Sequence, residues 1–237
     1  MLKIEKHVTM SPEQWEIVIE GMRNPMNSWD KSDSYATHIT DCDTPTTIPF
    51  EFFVGENDQA LMEQLASGGG PHSKYKRMMP VWVTLTAPLY WWKEFDTYKV
   101  GTVANSCSTM HKIHSKEFTA EDFSHEHLRF PAVDELDNTV RTLNGYREIY
   151  LNWDNENSNV RMCFGDDKKN VWWQMIQLLP SSYNQKRTVM LNYEVLTAIY
   201  KWRKDHKLDE WRQFCAWIKE LPYSELITLE DEENEQD

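Results

Sequence analysis

Residues 68–88 read GGGPHSKYKRMMPVWVTLTAP, and the order of breaker, strand and proline in them sets the architecture. Gly68, Gly69 and Gly70 close a helix predicted over NDQALMEQLAS, because consecutive glycines favour a helix C-terminus and cannot continue it. Val81, Val83 and Leu85 then alternate with Trp82, Thr84 and Thr86, the period-two pattern of a strand with one apolar face. Pro88 follows at a position suited to the start of another helix.

Working outward, KIEKHVTM opens the chain as a predicted strand. SPEQWEIVIEGM carries the clearest helix start: Ser11 caps, Pro12 takes the first helical position and Gln14 completes a capping box. Trp15, Val18, Ile19 and Met22 fall on one face of that helix. On the C-terminal side, DELDNTVRTLNG predicts a helix through Leu136, Val140 and Leu143 that closes at Gly145, and YREIYLNW resembles a strand. The remainder reads as helical. VWWQMIQLLP ends at Pro180, TVMLNYEVLTAIYKWRK places Val195, Ile199 and Trp202 together, and EWRQFCAWIKEL places Trp211, Phe214, Cys215 and Ile218 together. Strands early and helices late predict an α+β fold with an antiparallel sheet and a helical C-terminal half, in one domain over 1–228.

Composition bounds the function. The 237 residues are 40% hydrophobic and 13% aromatic, enough for a substantial core. No run reaches the roughly 18 apolar residues of a membrane helix, and MLKIEKHVTM lacks the order of a signal peptide, so the expected location is cytoplasmic, away from membranes. A formal net charge of −13 argues against general nucleic-acid binding. Part of that charge is the tail LEDEENEQD, predicted to be disordered over 229–237. Cys42, Cys107, Cys163 and Cys215 are widely spaced and read as free thiols. No P-loop, G-x-G-x-x-G or G-x-S-x-G is present, which removes motif support for NTP hydrolysis, Rossmann dinucleotide binding and hydrolase chemistry.

Residues 96–112, DTYKVGTVANSCSTMHK, form a hydroxyl-rich stretch directly after the aromatic block of Trp91, Trp92, Phe95 and Tyr98. Trp91, Phe95 and Tyr98 stand at i, i+4 and i+7, a spacing that suits core or subunit interface better than a base-stacking platform. His111 and His114, with His125 and His127 further on, have spacings that fit one face of a helix or strand. They lack an H-E-x-x-H or a carboxylate pattern, so no metal is assigned and they read as solvated positions.

The succession of Gly-x-His at 70–72 before a strand, Ala87-Pro88 opening a helix, a polar motif ten residues on, then Leu179-Pro180, Asn192 and Arg203 resembles the flavin-dependent thymidylate synthases, the ThyX family. From His72 through Pro88 to Met110, and from Pro180 through Asn192 to Arg203, the chain follows the family pattern without a gap. The segment between is longer and matches nothing. The family's signature is R-H-R-x-x-S followed after four residues by S-x-R. Here those positions hold Thr97, Tyr98, Lys99, Val100, Gly101 and Thr102, then Cys107, Ser108 and Thr109. A second family histidine falls on Met78, the glutamate before it on Arg77, a nucleotide-contacting glutamine on Glu94, and a phosphate-binding arginine on Ile176.

The resemblance implies a ThyX-like fold, a homotetramer, bound FAD and a pyrimidine nucleotide such as dUMP. It places Arg203 where the family's arginine contacts the base, and Asn192, Tyr98 and Lys99 at cofactor positions. It puts Glu94 and the turn of Ser106, Cys107, Ser108 and Thr109 at substrate positions, where hydroxyls and backbone N–H groups suit an anion. Taken alone, Arg203 is an ordinary surface arginine, Asn192 a local cap, and Cys107 a packing thiol with only Lys99 nearby to lower its pKa. Losing two or three arginines removes charge-assisted bonds of about 1.5–3 kcal/mol each. Two functions therefore stand side by side. One is a divergent methyl- or one-carbon-transferring flavoenzyme; the other is a catalytically silent scaffold that binds a nucleotide or a protein for regulation.

Overall fold

The computed structural model of the chain describes residues 1–40, 47–154 and 156–228. The acidic tail at 229–237 and Cys42 lie outside the described residues.

The N-terminal strand β1 spans Lys3–Val8 and the helix α1 Pro12–Arg23. The predicted capping box is present in full: the Ser11 hydroxyl accepts the Gln14 N–H and the Gln14 side-chain Oε1 accepts the Ser11 N–H, while Pro12 sits in the first turn. Trp15, Val18, Ile19 and Met22 are all buried, as the 3.6-residue period requires. The strands β2 (Tyr35–Thr40) and β3 (Thr47–Phe53) pair antiparallel, with a register irregularity at Thr37/His38. Phe52 on β3 stacks on Trp15 at 6.1 Å.

The helix α2 (Glu56–Ser67) ends at Gly68, as the triple glycine predicts, and a 3-10 turn over His72–Met78 leads into β4 (Pro80–Pro88). Val81, Val83 and Leu85 are buried, confirming the alternation. The helix α3 (Leu89–Phe95) follows directly after Pro88 and buries Trp91, Trp92 and Phe95, so that part of the aromatic block is core. The hydroxyl-rich stretch contains the short strand β5 (Val103–Ser106) rather than a continuous turn.

Beyond it the structure corrects the sequence reading. The helix α4 runs Ala132–Leu151, straight through Gly145 and the segment expected to be a strand. Helical spacing wins there because Tyr146 and Tyr150, one turn apart, pack beside buried Leu143 against the core of Ile113, Phe118, Phe123 and Met175. An added Cβ at Gly145 would meet nothing within 4 Å, so the glycine only weakens the helix, by roughly 1 kcal/mol, without ending it. The helices α5 (Ser158–Phe164) and α6 (Lys169–Leu178) follow, and α6 packs on α4.

TVMLN, read with the following helix, belongs instead to the strand β6 (Asn184–Asn192). Helix starts only at α7 (Tyr193–Arg203), where the Asn192 carboxamide oxygen accepts the Val195 N–H at 3.0 Å. Val195 and Ile199 are buried, but Trp202 is 70% exposed and does not join them. The helix α8 (Asp209–Ile218) buries Trp211, Phe214, Cys215 and Ile218 as predicted, and α9 covers Glu225–Thr228.

The strands β1, β4, β6 and β5 form a four-stranded sheet in that order, and β2 with β3 a separate pair, giving an α+β fold with a helical C-terminal half. The chain falls into two compact units. One holds Met1–Lys3, Leu85–Thr97 and Asn105–Arg187; the other holds Ile4–Thr84, Tyr98–Ala104 and Thr188–Asp237. Among the described residues no helix is long and apolar enough to cross a membrane.

Candidate functional site

The unit that holds Tyr98 and Arg203 brings these two together across 105 positions of sequence. Arg203 leaves the last turn of α7, and its Nε donates to the Tyr98 hydroxyl at 3.0 Å. Its guanidinium also lies 4.8 Å from the Trp211 ring centre and 5.7 Å from that of Tyr98. An arginine held between two aromatic faces keeps its charge and gives up side-chain freedom, so it is pre-set in direction.

Asn192 sits 9% exposed at the N-terminus of α7, where its oxygen is spent on capping. Gly101 approaches this cap closely: with φ at +82°, a Cβ there would lie 2.9 Å from the Asn192 Nδ2 and 3.2 Å from Val195 Cγ2. Gly101→Ala is expected to cost about 1–3 kcal/mol through backbone strain and displacement of the cap, read as a lowered midpoint in urea unfolding. A midpoint equal to wild type would show that the approach is not tight. The Thr102 hydroxyl beside it is buried without a hydrogen-bond partner. Lys99 and Val100 are exposed.

A cavity of about 360 Å³ opens in the same unit, within the range of roughly 300–1,000 Å³ usual for ligand pockets. Its walls include Gly69, Gly70, Ser73, Glu194, Thr197 and Lys201. Gly69 and Gly70 are consecutive left-handed residues, with φ of +56° and +48°. Glu194 is already held by a two-pronged bond from Arg77, at 2.9 and 2.8 Å. The pairing joins Arg77, at a position where the resemblance expects an acid, to an acid on α7. Sequence reasoning reached Asn192 but not this cavity; the hydroxyls of Ser73 and Thr197, each on a different element, gave no local signal.

The other unit holds the remaining predicted residues. Ser106, Cys107 and Ser108 are exposed, and Thr109 and Glu94 are half-buried. Some of the backbone N–H groups and hydroxyls expected to suit an anion are already bonded within the protein. The Cys107 N–H donates to the Lys186 carbonyl at 2.9 Å, and the Ser108 hydroxyl accepts the N–H groups of Met110 and Lys112 at 3.3 and 3.4 Å. Behind the turn stands an arginine the sequence reading missed. Arg187 donates to Asp96 at 2.7 Å and to the Gln185 carboxamide at 2.9 Å, with its guanidinium 4.3 Å from the Trp92 ring centre. Gln185 in turn donates to the Cys107 carbonyl at 3.0 Å. The alternation Gln185, Arg187, Val189, Leu191 was the available signal, obscured because its first two members are polar.

Cys107 and Cys163 are exposed free thiols, while Cys215 is buried, and burial with Asp205 nearby pushes its thiol up to about 12. Cys215 is therefore no nucleophile. Among the described residues no group of three His, Cys, Asp or Glu is placed to hold a metal ion.

Known proteins resemble this chain in structure and not in sequence. No family profile matches it, and no curated protein matches its sequence. Two crystal structures of the Helicobacter pylori thymidylate synthase ThyX with FAD and dUMP superimpose with TM-scores of 0.59 and 0.58, at 13% and 14% identity. They cover 98% and 97% of this chain and 98% of theirs. The UMP/dUMP methylase PolB of Streptomyces cacaoi, bound with 5-Br dUMP, superimposes with a TM-score of 0.50 at 14% identity, over 97% of this chain and 94% of that one. The chain thus has the fold of the flavin-dependent thymidylate synthases, a ThyX-like α+β fold carried across almost its whole length.

Proposed function

We propose that this protein binds a pyrimidine nucleotide of the dUMP class and, with a flavin, transfers a one-carbon unit to its base. The observation that carries the reading is the meeting of Arg203 with Tyr98, since it joins the retained base-contacting position to the altered signature segment. In this reading Arg203 orients the base. Glu94 and the stretch Ser106, Cys107, Ser108 and Thr109 take the sugar and phosphate end, with the side-chain hydroxyls of Ser106 and Thr109 as donors. Tyr98, Lys99 and Asn192 stand on the cofactor side, and the assembly is a homotetramer.

In the same reading a phosphate-bearing cofactor such as FAD lies at the 360 Å³ cavity, with Lys201 as its cationic contact. Lys201 supplies an ammonium donor, while the Ser73 and Thr197 hydroxyls donate to the Gly70 and Tyr193 carbonyls at 3.3 and 2.8 Å and offer the cavity their accepting lone pairs. When bound, a flavin supplies hydride; the chain's part is to bind, orient and exclude water. Arg77 neutralises Glu194 at the cavity wall, which removes a repulsion toward an anionic cofactor.

Arg203→Ala is expected to weaken dUMP binding by about 10- to 100-fold, the equivalent of one charge-assisted bond. Unfolding stability should fall by about 2 kcal/mol, the scale of a desolvated cation–π contact. Calorimetric titration with dUMP, together with NADPH reduction of added FAD in the presence and absence of dUMP, tests the reading. Flavin absorbance after purification, or dUMP-stimulated reduction, supports it. Unchanged dUMP affinity in the variant sinks the role of Arg203.

A nucleotide-binding scaffold without the chemistry is the second reading. The loss of arginine from the signature favours it, because Thr97 and Thr109 stand where arginines would make charge-assisted bonds. Colourless protein that gains thermal stability with a nucleotide and not with FAD would select it, and silence toward both ligands would overturn the two readings together.

A further inference from the structure

A second cavity, of about 440 Å³, lies in the unit that contains α4 and α6 and uses none of the residues assigned above. Its lining is His111, Tyr150, Lys168, Lys169, Trp172 and Trp173, three aromatic rings and three basic side chains with no carboxylate among them. Arg147 stands close by, its Nε donating to the His114 carbonyl at 3.0 Å. The His114 ring lies 4.6 Å from that of Tyr150, and its Nδ1 is buried without a hydrogen-bond partner. Burial first, then the positive charge of Lys112, Lys168 and Arg147, holds the His114 pKa below its ordinary value, which is what a convergence of cations produces.

This concentration of charge is unusual for the molecule that carries it. The chain has a formal net charge of −13, yet none of the ion pairs among the described residues involves Lys112, Arg147, Lys168 or Lys169. Of the neighbouring acids, Asp166 pairs with Arg161 at 2.5 Å, and Asp167 caps the start of α6 by accepting the Lys169 N–H at 2.8 Å. Lys168 rests over the Tyr150 ring at 4.3 Å, and the Trp172 indole is fixed by donating to the Met110 carbonyl at 3.0 Å. Trp173 leaves 40% of its surface in solvent. Rings held in place beside ammonium groups that make no ion pair with a carboxylate match a ligand that is flat at one end and anionic at the other.

We propose that this cavity binds a small planar aromatic anion of the nucleoside monophosphate class, with the ring against Trp172, Trp173 and Tyr150 and the phosphate on Lys168 and Lys169. The volume suits one nucleotide, and the net negative charge of the whole chain disfavours a polyanion while leaving a short ligand free to use the local field. The site does not depend on flavin or on Arg203.

Photo-crosslinking of the full chain with 5-iodo-UMP, followed by peptide mass spectrometry, tests it. Adducts on Tyr150, Trp172 or Trp173 are expected, competed by UMP or AMP at concentrations where uridine and adenosine have no effect. The K168E/K169E double variant, changed at one half-buried and one exposed position, should lose at least tenfold of that yield with an unaltered circular dichroism melt. Arg203→Ala should leave the yield unchanged. Adducts elsewhere in the chain only, or none at all, would overturn the site. So would equal yield in K168E/K169E, or competition by the nucleosides alone. A loss in Arg203→Ala matching that in K168E/K169E would assign the probe to the site of the proposed function and overturn a separate cavity. Failure of dUMP binding in the earlier titration, with these adducts intact, would reject that function and leave this one standing.

Discussion

Asp58→Ala is expected to lower the folding stability by about 3–5 kcal/mol, the usual result of removing one partner from a buried ion pair. Asp58 lies in the first turn of α2 with its side chain at 0% exposure, against Arg23 at 4%. Its Oδ1 accepts the Arg23 Nε at 2.5 Å. Its Oδ2 accepts the hydroxyls of Ser32 and Ser34 at 2.7 and 2.6 Å, and the N–H groups of Asp33 and Ser34 at 3.1 and 3.0 Å. Truncation leaves five donors unanswered and an arginine charge buried in place. Asp58→Asn keeps the shape and loses the charge, so its cost should fall below that of alanine.

The same network predicts the acid behaviour. Burial pulls the Asp58 carboxyl pKa upward, but hydrogen bonds from Ser34, Ser32, Arg23 and the Asp33 N–H outweigh it, and the net shift is downward. A carboxyl with a folded pKa below its unfolded one stabilises the fold fully above the unfolded value of about 3.9, and that contribution fades as pH falls through the folded pKa. Urea unfolding at pH 7 and near pH 3 should therefore show the gap between wild type and Asp58→Ala narrowing in acid. A loss under about 1 kcal/mol at pH 7 would falsify the account of a charged hub.

The parts of this fold that the sequence declared were those where one local rule acted without competition. Ser11, Pro12 and Gln14 specify the start of α1 within four residues, and the burial of Val81, Val83 and Leu85 follows from simple alternation. Where rules conflicted, the sequence misled. Gly145 reads as a stop, yet tertiary packing of Tyr146 and Tyr150 carries α4 past it. The inward face of β6 begins with Gln185 and Arg187, and these polar members break the apolar pattern because they bond to Cys107 and Asp96. The candidate site was legible only to the extent that it resembled a known pattern. Arg203 could be marked, but its seat on Trp211 and its bond to Tyr98 join separate elements that no local periodicity links. The basic cavity beside α6 lay in the segment without any match, and it becomes visible only when folding gathers His111, Tyr150 and Lys168.

Trp92→Ala is expected to have an effect of similar size, about 3–5 kcal/mol, because a large aromatic leaves a cavity its neighbours cannot close. Trp92 is fully buried, 4.9 Å from Trp91 and 5.2 Å from Phe95 between ring centres. Its removal also takes the indole donor from the Gln185 carbonyl, bonded at 2.8 Å, and the ring from beneath Arg187. Those two residues connect the core to the turn at Cys107: the Cys107 N–H is tied to Lys186 and its carbonyl to Gln185. The damage should thus reach the proposed substrate stretch, and alkylation of Cys107 by iodoacetamide, read by peptide mass spectrometry under native conditions, should change in rate. Trp92→Phe retains most of the apolar volume and gives up the hydrogen bond, so its stability loss should be the smaller of the two. Trp202→Ala, at an exposed position, should move stability by about 0.5 kcal/mol or less. If Trp92→Ala lowered stability with Cys107 alkylation unchanged, the core would be holding the aromatic block without holding the turn, and the route from Trp92 through Gln185 to the site would be wrong.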